Sequence, residues 1–408
     1  MSEYSAAKGW TGLLRNPITE FRFDRVFRAL SSRVTIPFEL ILNGGTVHRV
    51  GEGPPRFKAM LKNERAIKAI ASFDEGQIAD SYLSGDIDIQ GELPSVIEAC
   101  QLLRDFHPVA STWRFLQPIL QGQVRTNRDA IEAHYDIDQQ FFLSFLDPQV
   151  PCYTQGVYHT DGESLDAATL RKFSYCFDQL KLRSGDRILE IGPGWGAWFQ
   201  YASARGVKCT GITISRASEK FLNERAKQLG YDWEIVFSDF FDYDTQVKFD
   251  AIVIMGVIEH LPNYKGVVQK FQSLLKQDGR IFLDGSACDR KYELSSFMVK
   301  HIYPGNHSFL VLPDFLQELA KTSLRLVEIF NDRYSYFLTF RQWAKNFDRN
   351  RESVIARFGQ FNYRRFQLYL WGAAYEFLRG NMECYRMVIQ NSTRTVHLPK
   401  FEYVAPGG

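Results

Sequence analysis

Two stretches carry residues able to do chemistry. Arg187 to Gly196 reads Arg-Ile-Leu-Glu-Ile-Gly-Pro-Gly-Trp-Gly, and Phe249 to Pro262 reads Phe-Asp-Ala-Ile-Val-Ile-Met-Gly-Val-Ile-Glu-His-Leu-Pro. The first is a short apolar run that stops in glycines, the pattern of a buried strand, a tight turn and a helix start. Gly192, Gly194 and Gly196 have no Cβ to keep backbone amides from a ligand, so the loop suits a nucleotide-like cofactor. Gly192-x-Gly194-x-x-Ala197 also satisfies the dinucleotide fingerprint, but that site needs an acid about 20 residues further on. The next apolar run, Lys208 to Ser215, ends without a carboxylate. Glu190 stands two residues before the first glycine, where an acid can order a loop around S-adenosylmethionine (SAM), and Asp239 follows a third strand where an adenine amino group needs an acceptor. SAM is therefore favoured over NAD. Taken singly, Glu190 reads equally well as a helix cap and Asp239 as a turn residue; their order, each at the end of an expected strand, gives them meaning.

Strands expected near 187, 208, 233, 250 and 280 alternate with helical segments near 197, 217 and 265, which predicts a mostly parallel, doubly wound α/β sheet. A helix is expected over Ala167 to Leu180, with others over Glu293 to Tyr303 and Pro313 to Thr322. Leu326 to Phe330 and Tyr336 to Phe340 read as closing strands, and Arg351 to Met387 as a long helical tail rich in aromatics and arginines. Residues 1 to 125 form a separate, smaller α+β domain. It contains a helix with Arg22, Arg25 and Arg28 at helical spacing and a hairpin over Phe38 to Val50 turned by Asn43-Gly44. Residues 126 to 408 make the catalytic domain with its helical extension.

The 408 residues suit two or three domains, and a net charge of +2 without a long basic block gives no sign of nucleic acid. No stretch approaches a membrane span, and Met1 to Arg15 lacks a signal-peptide core. Cys100, Cys152, Cys176, Cys209, Cys288 and Cys384 are scattered, without pairs or His partners at ligand spacing, so reduced thiols are expected rather than a metal site. These features together predict a cytoplasmic protein.

At residue level the chain resembles the cyclopropane-fatty-acyl-phospholipid synthases and the related mycolic-acid methyltransferases. The resemblance rests on Ile131-Glu-Ala-His-Tyr-Asp136, Tyr153-Thr154, the glycine loop, Gly211-Ile-Thr213-Ile-Ser215, Glu259-His260, and Tyr336 seven residues before Trp343. Gln77 to Asp86 extends it to the small lipid-associated amino-terminal domain of the bacterial synthases. It implies a Rossmann-like class I SAM methyltransferase that adds a methyl or methylene group to the double bond of an unsaturated phospholipid acyl chain, through a carbocation. It also implies peripheral contact with the inner face of the membrane, and self-association, a homodimer by analogy. Tyr153, Thr154, Thr213 and Ser218 join Glu190, the three glycines and Asp239 as cofactor contacts, Ser218 standing where a Gln often touches the ribose.

In the family a bound bicarbonate removes a proton from the added methyl, held by a Cys, a Glu, a His and a Tyr. Glu259 and Tyr336 match two of those holders, but Gln155 takes the place of the Cys and Asp284 that of the His. A carboxylate beside Glu259 should repel bicarbonate or force one acid to be protonated, which weighs against the anion here. Two outcomes follow. Asp284 serves directly as the base, so that ring formation to a cyclopropane or proton loss to a methylene product survives without the anion, or the cation is resolved by hydride shift and proton loss from the chain, giving a methyl-branched or methylated-unsaturated lipid; the second is favoured. Glu259 leads the catalytic set, with Tyr336, Asp284, Gln155 and the adjoining His260. The aromatics Tyr363, Phe366, Tyr369, Trp371 and Tyr375 are expected in the core with some lining an acyl tunnel; the basic region from Arg341 to Arg365 reads, residue by residue, as a solvated helix face, and a lipid substrate gives it the alternative of meeting lipid phosphates. The rivals are a small-amine N-methyltransferase and a non-catalytic lipid-binding relative.

Overall fold

The computed structural model describes residues 34–72, 74–101, 139–291, 294–303 and 307–392, with a few positions between 23 and 32. The segment Pro108 to Asp129, the run Ile131 to Asp136 and the boundary expected at 125/126 lie outside the described residues, as does most of Glu20 to Leu30.

The amino-terminal unit runs β1 (Phe38–Leu42), β2 (Val47–Val50), β3 (Phe57–Leu61), α1 (Glu64–Ser72), α2 (Glu75–Leu83), β4 (Ile87–Gly91) and α3 (Leu93–Gln101). Its sheet has the order β2-β1-β3-β4. The expected hairpin is present, with Phe38 opposite Val50, and Gly44 and Gly45 supply the positive φ angles its turn needs. Alternation along β1 and β3 sends Phe38, Leu40, Leu42, Phe57, Ala59 and Leu61 to one buried face.

The larger unit contains α4 (Gln139–Leu143), α5 (Leu165–Gln179), β5 (Arg187–Ile191), α6 (Ala197–Ser203), β6 (Lys208–Thr213), α7 (Arg216–Leu229), β7 (Glu234–Phe237), β8 (Phe249–Met255), α8 (Tyr264–Leu274), β9 (Leu275–Ala287), α9 (Leu312–Leu319), β10 (Leu324–Asn331), α10 (Arg333–Arg349), α11 (Arg351–Phe358), α12 (Gln360–Arg379) and β11 (Glu383–Asn391). The sheet order is β10-β11-β9-β8-β5-β6-β7, parallel from β9 to β7 and antiparallel at β11 and β10. Both faces are covered. Leu189, Ile191, Ile252 and Ile254 share a core with Val267, Phe271 and Phe315 of α8 and α9, while Ile188, Ala251 and Val253 share another with Phe173, Trp198 and Leu222 of α5 to α7. Near-continuous apolar strands are what a sheet buried on both sides requires.

Three expectations about the carboxy-terminal third are corrected. Tyr336 to Phe340 is not a strand but the first part of α10. Its five residues look like a strand in isolation, yet Tyr336, Phe337, Phe340, Trp343, Ala344 and Phe347 follow helical spacing and are all buried. The tail is not one helix: Gly359, at φ +85°, separates α11 from α12, and Glu383 to Asn391 forms β11, pairing with both β9 and β10. Of the helix expected over Glu293 to Tyr303, the described residues keep a shorter helical segment, residues 296–302, whose last part, Met298–Ile302, is π-helical.

The amino-terminal unit docks on α12. Arg364, 5% exposed, donates to the carbonyls of Tyr82 (2.6 Å) and Ile87 (3.1 Å) and to Asp88 Oδ1 (2.8 Å), and its guanidinium lies over the Tyr82 ring. It is thereby withdrawn from the basic surface on which it was expected. Truncation would strip the Arg364 donors from the Tyr82 and Ile87 carbonyls, while Asp88 keeps the Ile89 amide and Lys62, so Arg364→Ala should lower unfolding stability by about 1–3 kcal/mol, with Lys a poor substitute for the fork. Urea denaturation of the two variants checks this.

Candidate active site

The cofactor end is built at the carboxyl edge of β5. After Ile191 the chain turns through Gly192, Gly194 and Gly196, with φ of +69°, +53° and +74°, and Gly196 caps α6. A Cβ on Gly192 would stand 2.6 Å from Val257 Cγ2 and one on Gly196 2.7 Å from Leu222 Cδ2, whereas one on Gly194 would meet nothing within 4 Å. The first and third glycines are thus required by packing and the middle one by its left-handed φ, with open space beside it. Ser218 does not wait for a ligand alone; its hydroxyl donates to the Gly194 carbonyl at 2.8 Å and staples α7 to the loop. Thr213 accepts from the Ser215 amide at 3.1 Å at the end of β6, and Asp239 accepts from the Phe241 amide at 2.8 Å beyond β7.

Gly192, Gly194, Thr213, Ser218 and Asp239 line one cavity of about 1990 Å³, from which Gly196, expected as a cofactor contact, is set back; it continues past Tyr153, Thr154, Glu259, His260 and Tyr336 to the apolar face of the amino-terminal sheet. That volume is well above the ~300–1,000 Å³ of a small-molecule site, so the space suits a nucleotide together with a long apolar chain. Glu190 is 4% exposed and its Oε2 has no hydrogen-bond partner among the described residues. An unpaired buried carboxylate beside an open glycine turn fits a donor that carries a sulfonium and an ammonium group.

Burial pushes Glu190 from its usual range up to about 8, with Lys172 pulling it down and Asp284 pushing it further up. The folded chain therefore holds this proton more tightly than the unfolded chain. The stability it contributes is complete below about 4.5 and is lost as pH rises through about 8. A cationic donor favours the ionised form, so SAM affinity should climb with pH, by up to about tenfold per unit below that value, and Glu190→Gln should flatten the climb. Calorimetry across pH 6–9, in buffers of differing ionisation enthalpy, reads both the affinity and the released proton.

The catalytic end lies past β8. Glu259 sits in a 3₁₀ turn (Ile258–His260) and is 5% exposed. Its Oε1 accepts from the Ser286 amide at 2.7 Å, while Oε2 has no partner among the described residues. Burial raises it to about 7, against the pull of the Ser286 amide. Around it the cavity wall is aromatic: Tyr336 packs on Phe340 and Phe377, and Tyr369 joins its hydroxyl to those of Tyr303 (2.9 Å) and Tyr153 (3.3 Å). Tyr369 is the one member of the expected carboxy-terminal aromatic set that both lines this wall and carries a hydroxyl into it.

Gln155 and Asp284 are placed elsewhere. Gln155 is 1% exposed and does not line the cavity. Asp284, fully buried on β9, also lies off the cavity: its Oδ2 pairs with Lys172 Nζ at 3.2 Å and its Oδ1 accepts from the Gly256 amide at 3.0 Å. Lys172 donates in addition to the Thr154 hydroxyl. Burial by itself lowers the Lys172 ammonium, but the Asp284 carboxylate carries it above its ordinary value. Asp284 is thereby a tether between α5, the 152–156 segment and the turn after β8, and this arrangement does not favour it as a free base. Lys172 was passed over in the sequence, although a lysine on the stripe of Ala168, Thr169, Phe173 and Cys176 was a signal.

Sequence analysis also missed Tyr303 and His307. Both line the cavity with their rings stacked, 4.2 Å between centroids and 5° between planes.

Comparisons with known proteins give the family of the chain and neighbours of its fold. A family model described as mycolic acid cyclopropane synthetase matches residues 122–387, and one described as a domain of unknown function matches residues 26–105. The sphingolipid C9-methyltransferase of Candida albicans is 25% identical over 345 residues, covering 79% of this chain and 67% of that protein. A probable fatty acid methyltransferase of Pseudomonas putida is 25% identical over 363 residues, covering 85% and 89%. Among solved structures, the cyclopropane synthase MmaA2 from Mycobacterium tuberculosis superposes with a TM-score of 0.60 at 23% identity, covering 64% of this chain and 98% of that one. Coclaurine N-methyltransferase gives 0.60 at 15% identity, covering 76% and 95%; at these identities the two structures speak for the fold.

Proposed function

Because the chain belongs to the mycolic acid cyclopropane synthetase family and is a SAM-dependent methyltransferase, we propose that it methylates the double bond of an unsaturated acyl chain in a membrane phospholipid, through a carbocation. When bound, SAM supplies an electrophilic methyl group and leaves as a neutral thioether. Glu190, the Gly192 to Gly196 loop, Thr213, Ser218 and Asp239 hold it. Tyr153, Tyr303, Tyr336, Phe340 and Tyr369 exclude water and set aromatic faces around the alkene.

The observation that carries the reading is Glu259. A carboxylate fixed by one oxygen and left without a hydrogen bond at the other, inside an apolar wall, is what a cation without hydrogen-bonding groups requires. With Asp284 tied to Lys172, the arrangement supports loss of a proton from the chain in preference to closure of a ring, and a methyl-branched or methylated-unsaturated product. Residence on the inner face of the membrane, and a dimer, are parts of the same proposal. The purified protein, incubated with methyl-deuterated SAM and dioleoyl phosphatidylglycerol vesicles, should yield acyl chains that retain all the methyl deuterium. Loss of one deuterium would place the deprotonation on the added methyl, by ring closure or to a methylene product, and overturn loss from the chain; no mass gain on any unsaturated lipid would end the proposal.

A further inference from the structure

We propose that Gly372 is a specificity-determining residue: it opens α12 to the part of the substrate's acyl chain beyond the double bond, with the amino-terminal unit as the facing wall. The inference rests on the reaction proposed above. Among the described residues, three glycines lie inside α-helices: Gly76 in α2, Gly266 in α8 and Gly372 in α12. Glycine in such a place costs stability relative to alanine, so each needs a reason. A Cβ on Gly76 would stand 2.9 Å from Ser296 Oγ, and one on Gly266 2.8 Å from Asn263 Nδ2. Close packing accounts for both. A Cβ on Gly372 would meet nothing within 4 Å, and its φ lies outside the left-handed region. Neither packing nor backbone conformation asks for glycine there, which leaves the space beside it as the reason.

That space belongs to the cavity. Gly372 lines it with Leu368, Tyr369, Ala373, Glu376 and Phe377, a stripe along one side of α12. Tyr369 and Phe377 are turned toward the catalytic wall, where they meet Tyr303 and Tyr336. Arg364 and Arg379 are turned toward the amino-terminal unit, where they meet Tyr82 and Glu98. At about 100° of rotation per residue, Gly372 falls between these two directions. A passage from the Tyr336 wall to the amino-terminal sheet therefore skirts the backbone of α12 at Gly372.

On its far side the cavity is lined by Ile78 of α2, Val96 and Ile97 of α3, and Ala59 and Ile89 of the sheet. These side chains are aliphatic, and with bare helix backbone opposite them they suit a methylene chain, which makes no hydrogen bonds and gains from every carbon it buries. An alkene held at the Tyr336 wall has two arms. One leads back to the headgroup, and the other ends in a methyl group with no polar atom to keep in water; the second arm is the one this space fits.

The test uses the full chain with SAM and vesicles of dimyristoleoyl, dipalmitoleoyl or dioleoyl phosphatidylglycerol, whose chains share a double-bond position and differ in length beyond it. Gly372→Met keeps a good helix former and fills the space. It should lower kcat/KM for the dioleoyl lipid relative to the dimyristoleoyl one by about tenfold or more, with SAM affinity by calorimetry unchanged within about threefold. Gly372→Ala should raise Tm by about 1–3 °C, since its methyl enters open space. Should Gly372→Met not fold, Gly372→Ala carries the length comparison, with an expected shift of about twofold or more. An unchanged length preference in a folded Gly372→Met, or an equal loss on all three lipids, would overturn the proposal. A lower Tm for Gly372→Ala would also overturn it, by assigning the glycine to folding. So would a response of Gly372→Met to the saturated sister chain alone, varied from myristoyl to palmitoyl beside a fixed oleoyl chain. If the parent methylates no lipid, the earlier reading has failed; calorimetry with free oleate and myristoleate then decides this one, Gly372→Met being expected to lose oleate and keep myristoleate.

Discussion

Glu259→Gln should reduce methyl transfer by about 10²–10³-fold while SAM binding and thermal stability stay close to those of the parent. The side chains are isosteric, and the amide oxygen of Gln can still accept from the Ser286 amide, so the turn after β8 keeps its anchor. What is removed is the negative charge at the oxygen without a hydrogen bond. In an apolar cavity that charge is unscreened by water and acts on a cation present only after the methyl has moved, so the loss falls on kcat and not on KM. The pH dependence separates this account from a structural one. Burial holds Glu259 at about 7, so the parent should gain activity as pH rises through that value, whereas the Gln variant should show no such limb. A Gln variant with the parent's kcat would remove Glu259 from the mechanism.

Legibility of the chain followed the range of the interactions that shape it. The hairpin at Asn43-Gly44, the strand-glycine-helix sequence at Ile191 to Gly196, and the alternation that predicts a parallel sheet are local patterns, and each stands where it was expected. β11 was not visible: Glu383 to Asn391 follows a long aromatic helix, and its strand character comes from the slot between β9 and β10 that it fills. Tyr336 was singled out by its offset from Trp343 while its element was misread, because residue identity survives an error in secondary structure. The same division runs through the site. Glu190, Glu259 and the glycines lie at strand ends that the sequence marks, but the fate of Asp284 depended on a lysine 112 residues away, which spacing along the chain does not reveal.

That lysine gives the second large effect. Lys172 and Asp284 are both fully buried, 3.2 Å apart. Lys172→Met would leave a carboxylate in the core with the Gly256 amide as its remaining donor and the Thr154 hydroxyl with Cys152 Sγ alone, and should destabilise the protein by about 3–5 kcal/mol. Asp284→Leu should cost a similar amount, because it strands an ammonium instead. The double variant Lys172→Met/Asp284→Leu removes both charges at similar volume, and should recover to within about 1–2 kcal/mol of the parent. Chemical denaturation of the four proteins reads this cycle, and a methyl-transfer assay on the same samples reads the chemistry. If the pair only positions the 152–156 segment and the turn after β8, the double variant should fold, bind SAM and retain turnover within about tenfold. Were Asp284 the base, the double variant would fold and stay inactive by the 10²–10⁴-fold expected for a lost proton acceptor, and the tether would have been the wrong account of its buried carboxylate.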